Sequence, residues 1–157
     1  MGPSVANCNL VNIAIGIEKR GIIFYDAVGR SSGREVVRDT FQYLSGMERR
    51  HIQIIQEIFK IVDKSVHYGY DVEYSAYIRA LMENTVFTGE LADSEAIKRI
   101  QDDMRALDLA ILAEKDSILL YHEMQYRVSD PAREVIGRII AEEKAHLLQL
   151  AELKRQV

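Results

Sequence analysis

Two short motifs and two isolated acids carry the chemistry this chain can do. Glu48-Arg-Arg-His51 and Glu143-Lys-Ala-His146 each place a carboxylate three residues before an imidazole. On a helix that spacing puts both groups on one face. Glu18 and Glu114 stand without such a partner, yet both interrupt apolar faces. Val11, Ala14, Ile22 and Tyr25 surround the first at helical spacing, and Leu107, Ala110, Ile118 and Tyr121 surround the second. Glu48 likewise falls among Phe41, Leu44, Ile52 and Ile55, and Glu143 among Ile136, Ile139, Leu147 and Leu150. Glu142 has Arg138 and His146 four positions to either side and is expected at the surface, where its loss should matter little.

A lone buried carboxylate is costly and tends to go neutral. Several converging on one layer would also repel. Two divalent or trivalent cations resolve both difficulties, because the acids and imidazoles then become ligands. One Glu from each of two helices, with ExxH from the other two, is the ligand set of di-iron and di-manganese carboxylate bundles. Glu18, Glu48, His51, Glu114, Glu143 and His146 complete it. In this reading Glu48 and Glu143 bridge, Glu18 and Glu114 each close a different metal, and each His gives one nitrogen. Oxygen-rich ligands with one imidazole per ion favour iron or manganese in a redox role over structural zinc. The expected cofactor is therefore two iron ions, with manganese or a mixed Fe/Mn pair also compatible. The second nitrogen of each ring calls for a partner. Tyr25 and Tyr121, two turns beyond the lone acids, are each placed to hydrogen-bond a carboxylate of the facing helix pair.

Each piece is weak by itself. A single ExxH reads as a solvated turn, and Glu18 or Glu114 as a helix charge beside Lys19, Arg20 or Lys115. Their joint order and matching offsets give the reading its strength. His67 and His122 match no ligand position, and Tyr68, Tyr70, Tyr74 and Tyr77 read as packing residues.

The elements that would position these residues are helical almost throughout. A first helix is predicted over about residues 9–28 and a second, opened by a Ser32–Glu35 capping box, to about 63. A short helix over 72–83 lies in the following connection. A third long helix, capped by Asp93 or Ser94, runs to about 126. A fourth begins with Ser129 or Asp130 as cap and Pro131 at its first position, and runs nearly to the end. An internal repeat supports the pairing. Residues 15–28 align with 111–124, and setting Glu48 on Glu143 sets His51 on His146. The expected architecture is an all-α, ferritin-like four-helix bundle with a long crossover between helices 2 and 3.

Composition narrows the function. A chain of 157 residues without a Pro/Gly/Ser-rich linker is expected to form one domain over 1–157. Its net charge of −4 argues against gripping nucleic acid. A single cysteine excludes an internal disulfide and a four-cysteine iron site. Neither a signal peptide nor a membrane-spanning apolar run is evident, so a cytoplasmic protein without a membrane partner is expected.

With Glu18 and Tyr25, Glu48 and His51, Glu114 and Tyr121, and Glu143 and His146 in place, the sequence resembles the rubrerythrin-like branch of the ferritin-like superfamily over practically its whole length. The resemblance implies a non-haem di-iron centre that reacts with peroxide or dioxygen, in peroxide reduction, ferrous iron oxidation or oxidative-stress defence. It also implies an external electron donor and a homodimer. Two departures stand out. The rubredoxin domain of full rubrerythrins is absent. Peroxidase-type members also carry a second Glu three residues from the first on the third helix, whereas Ile111 and Ser117 occupy those positions here. The competing expectation is a non-enzymatic metal-binding or metal-sensing dimer.

Overall fold

A computed structural model describes residues 10–62, 72–128 and 130–157. Its elements are α1 (Leu10–Ser31), α2 (Glu35–Val62), α3 (Val72–Glu83), α4 (Ser94–Lys98), α5 (Asp103–Arg127) and α6 (Ala132–Gln156), with no strand among the described residues. Short connections at 32–34 and 128–131 fold α1 on α2 and α5 on α6 as two antiparallel hairpins. The hairpins then dock through α1 against α5 and α2 against α6.

The burial pattern explains why these segments are helical. On α2 the inward positions are Val37, Phe41, Leu44, Glu48, His51 and Ile55, and on α6 Ile136, Ile139, Glu143, His146, Leu150 and Leu153. Alternating steps of three and four give one continuous stripe along each helix. Each fully buried Leu, Ile or Phe contributes roughly 1.5–3 kcal/mol over leaving it exposed. Beside the polar layer stands an aromatic cluster. Phe24 and Phe41 meet edge to face with centroids 5.9 Å apart, and Tyr25 meets Phe41 at 5.6 Å. Phe41 therefore wedges between the rings of α1 and fixes the α1–α2 pairing one to two turns from Glu48.

The third long helix departs from expectation. Periodicity predicts one helix from residue 94, but the structure has a short α4, a non-helical step at 100–102, and a fresh start at α5. Two aspartates explain the break. Asp93 accepts from the Ala96 amide at 2.8 Å and caps α4, while Asp102 accepts from the Met104 amide at 3.1 Å and caps α5. A side chain that bonds a nearby amide competes with the helical ladder, and here it outweighs an apolar pattern that continues across the step. The crossover consequently spans 63–102 and carries both α3 and α4. Asp116 accepts from the Val86 amide at 2.8 Å, and Arg127 stacks 3.5 Å over the Tyr74 ring, so the crossover is tied to the middle and to the C-terminal end of α5.

Smaller corrections concern the helix ends and the remaining aromatic and histidine residues. Ser32 does not form the capping box with Glu35. Its hydroxyl accepts from the Arg34 amide at 3.2 Å and donates to Asp103 at 2.8 Å, linking the first turn to the start of α5. α1 also runs through Gly29 to Ser31 instead of ending at 28. Pro131 is the cap residue of α6, without a side-chain cap bond, instead of its first helical residue; the predicted cap Ser129 lies outside the described residues. Tyr74 is buried as a packing residue and Tyr77 is 43% exposed; His67, Tyr68 and Tyr70 lie outside the described residues. His122 is exposed. Among the described residues no helix is long and apolar enough to cross a membrane.

Asp102→Ala should remove the cap that starts α5 and lower stability by about 0.5–2 kcal/mol in urea unfolding. An unchanged midpoint would show that the break at 100–102 is held by something else.

Candidate metal centre

Each of the four long helices delivers one acid to a single layer in the middle of the bundle. Glu18 comes from α1, Glu48 from α2, Glu114 from α5 and Glu143 from α6, and all are buried. His51 and His146 enter one turn beyond Glu48 and Glu143 and are 0% and 2% exposed. Arg49, inside the first ExxH, turns outward because Asp26 of α1 accepts from its guanidinium at 2.7 Å and from Ser45 at 2.5 Å. This network presses α1 against α2 just outside the layer.

The six side chains form two overlapping groups. Ligand atoms of Glu18, Glu48, His51 and Glu143 all lie within 4.8 Å of one another, and so do those of Glu48, Glu114, Glu143 and His146. The two shared residues are Glu48 and Glu143, the acids expected to bridge. Both imidazoles direct Nδ1 inward. His51 Nδ1 lies 3.1 Å from Glu143 and 3.6 Å from Glu48, and His146 Nδ1 lies 3.1 Å from Glu143 and 3.7 Å from Glu114.

Two crossed hydrogen bonds orient the outer acids. Tyr25 of α1 donates to Glu114 Oε1 on α5 at 2.5 Å, and Tyr121 of α5 donates to Glu18 Oε1 on α1. The phenols thus occupy one oxygen of each acid. The other oxygens, Oε2 of Glu18 and of Glu114, are buried without a hydrogen-bond partner among the described residues. Unpartnered buried acceptors are expensive and rare. Here they face one another across a layer with ligand spacing, a donor set that suits a pair of hard cations.

Glu142 is the correction to the sequence reading. It is one-third exposed, but its carboxylate lies 2.8 Å from His51 Nε2 across the α2–α6 contact. Arg138, its neighbour one turn back, pairs with Glu134 instead. Glu142 therefore holds the outward nitrogen of a buried imidazole, so that Nδ1 is left for the layer. Pattern on α6 alone could not reveal this, because the partner belongs to α2. The available signal was the demand of a buried imidazole for an acceptor. His146 Nε2 has no partner among the described residues.

The charges are strongly perturbed. Burial pushes Glu114 up to about 8, and repulsion from Glu143 adds to it. Burial also raises Glu48. For His51 burial acts downward, but the Glu143 and Glu48 carboxylates overcome it and push the imidazole up to about 11. Glu114 and Glu143 likewise overcome burial at His146 and push it to about 10. Without cations, protonated imidazoles thus offset the acids.

A pH dependence follows. Glu114 loses its proton near 4.5 when unfolded and near 8 when folded, and His51 near 6.5 and 11 respectively. Both raised values favour the fold below the unfolded value and withdraw that stability as pH climbs through the folded one. The metal-free protein should accordingly melt at a lower temperature at about pH 9 than at about pH 6. A melting point that is flat or rises with pH would contradict this charge assignment. Tyr25→Phe leaves an oxygen of Glu114 buried and unpaired, and should cost about 1–3 kcal/mol in denaturant unfolding.

Comparison with known proteins agrees with this layout. No curated protein matches the chain. A crystal structure from Thermotoga maritima, described as a candidate ferritin-like diiron-carboxylate protein, superposes with a TM-score of 0.68 at 28% identity, covering 94% of this chain and 93% of that one. The bundle is thus ferritin-like in fold. The rubrerythrin family model matches residues 9–154, including every residue of the buried layer. The chain belongs to the rubrerythrin family.

Proposed function

We propose that the protein is a non-haem di-iron oxidoreductase that reacts with peroxide or dioxygen, in iron or oxidative-stress handling. The observation that carries this reading is the pair of overlapping buried ligand groups sharing Glu48 and Glu143. Glu18, Glu48, His51 and Glu143 would hold one ion, and Glu48, Glu114, Glu143 and His146 the other. The bound pair supplies two electrons and Lewis acidity to a small oxidant. Iron suits the donor set, and manganese or a mixed pair would be held by the same atoms.

The protein's own contribution is positioning and exclusion. Tyr25 and Tyr121 fix Glu114 and Glu18 so that each presents one oxygen inward. Burial of all six side chains keeps bulky substrates from the layer and favours an oxidant the size of dioxygen or peroxide. Ser117 is buried one turn from Glu114, and neither it nor Ile111 on the other side supplies the second Glu that the resemblance associates with peroxidase-type members. A hydroxyl is a poor substitute for a carboxylate ligand, which favours ferrous iron oxidation over rubrerythrin-type peroxide reduction. Turnover on peroxide would draw on an external electron donor. The proposed setting is a cytoplasmic homodimer.

The test is direct. Metal-free protein is loaded anaerobically with Fe(II), then given peroxide or air while ferric absorption is followed. Rapid growth, well above that of free Fe(II), is expected. A rate equal to that of free iron would leave only the metal-binding or metal-sensing dimer. Glu143→Ala should lose one or both ions by metal analysis.

A further inference from the structure

The two halves of the layer carry the same set of donor groups. Each half has a lone acid held by a tyrosine of the other hairpin, a shared bridging acid, and a His whose Nδ1 points inward. The difference lies behind the imidazoles. His51 Nε2 has the Glu142 carboxylate at 2.8 Å, while His146 Nε2 is buried with no partner among the described residues. The repeat shows how the difference arises. With Glu48 aligned to Glu143, the position of Glu142 on α6 corresponds to Met47 on α2. A thioether is at best a weak acceptor. The side of His146 is instead met edge-on by the half-exposed Tyr43 ring, with centroids 6.1 Å apart.

We infer that the two metal positions are unequal. The one built on Glu18, Glu48, His51 and Glu143 fills first and empties last, with Glu142 as its positioning residue. A carboxylate behind a ligating imidazole selects the tautomer, fixes the ring and raises the basicity of the donor nitrogen. Loss of such a partner typically costs about 10–100-fold in metal affinity. Among the described residues His146 Nε2 has no such carboxylate, and the outward side of this ring is held by packing. Because the bridging acids serve both positions, they cannot create the difference. The inference rests on the metal-centre reading above, and concerns the order of filling within it.

The experiment is an anaerobic titration of the metal-free full chain with Co(II), read by visible absorption against a chelating competitor. Two steps are expected, separated by about 10–100-fold. His146→Ala should keep the tight step, and His51→Ala should keep only the weak one. Glu142→Ala should weaken the tight step by that factor and leave the weak step in place, with Glu142→Gln intermediate. Met47→Glu offers an independent arm that adds a carboxylate where the repeat places it, and should tighten the weak step. Equal affinities in the unaltered chain, or equal weakening of both steps by Glu142→Ala, would overturn the inference. So would retention of the tight step in His51→Ala. A chain that takes up no Co(II) at all would instead overturn the metal-centre reading itself.

Discussion

Four carboxylates meet in one buried layer, and the remainder of the molecule is arranged around the cost of putting them there. In water each would be a solvated anion; between apolar helices each needs a counter-charge, a donor or a proton. The structure uses all three. Imidazoles lie among the bridging acids, phenols donate to the outer ones, and burial raises Glu114 and Glu48 toward their neutral forms. Apolar stripes above and below keep the helices from separating to let water in. Phe24, Phe41 and Tyr25 close one side of the layer with interlocking rings.

Much of this was legible in the sequence because helical period and repeat act together. Period shows which positions share a face, and an acid on an apolar face is an anomaly that demands an explanation. The repeat shows that the anomaly occurs in both halves at matching offsets. Neither source reaches across helices. Glu142 looks like surface when only α6 is considered, because the group that needs it is on α2. The step at 100–102 was hidden for a different reason. The apolar pattern runs on through it, while the event that breaks the helix is a local competition between the Asp102 carboxylate and the backbone. The same holds for Ser32, whose hydroxyl serves a distant aspartate and a nearby amide instead of a box with Glu35.

The family and the buried layer agree on the class of chemistry, and the details of this chain bear on its variety. Ser117 brings no further carboxylate to a layer of six side chains that could hold metal. Glu142 and Met47 break a symmetry that the ligands keep. A fold that places identical ligands in both halves can still set them different tasks through the residues behind them.

The crossed tyrosines have a consequence for how the chain folds. Tyr25 and Glu18 share α1, yet each finds its partner on α5. Within one hairpin, then, both a phenol and an acid lack the partners they hold in the folded bundle. The half-formed layer is a poor place to stop, so the two hairpins gain their polar partners in the same event. Cooperativity in this bundle comes from its most polar layer as well as from the apolar stripes that flank it.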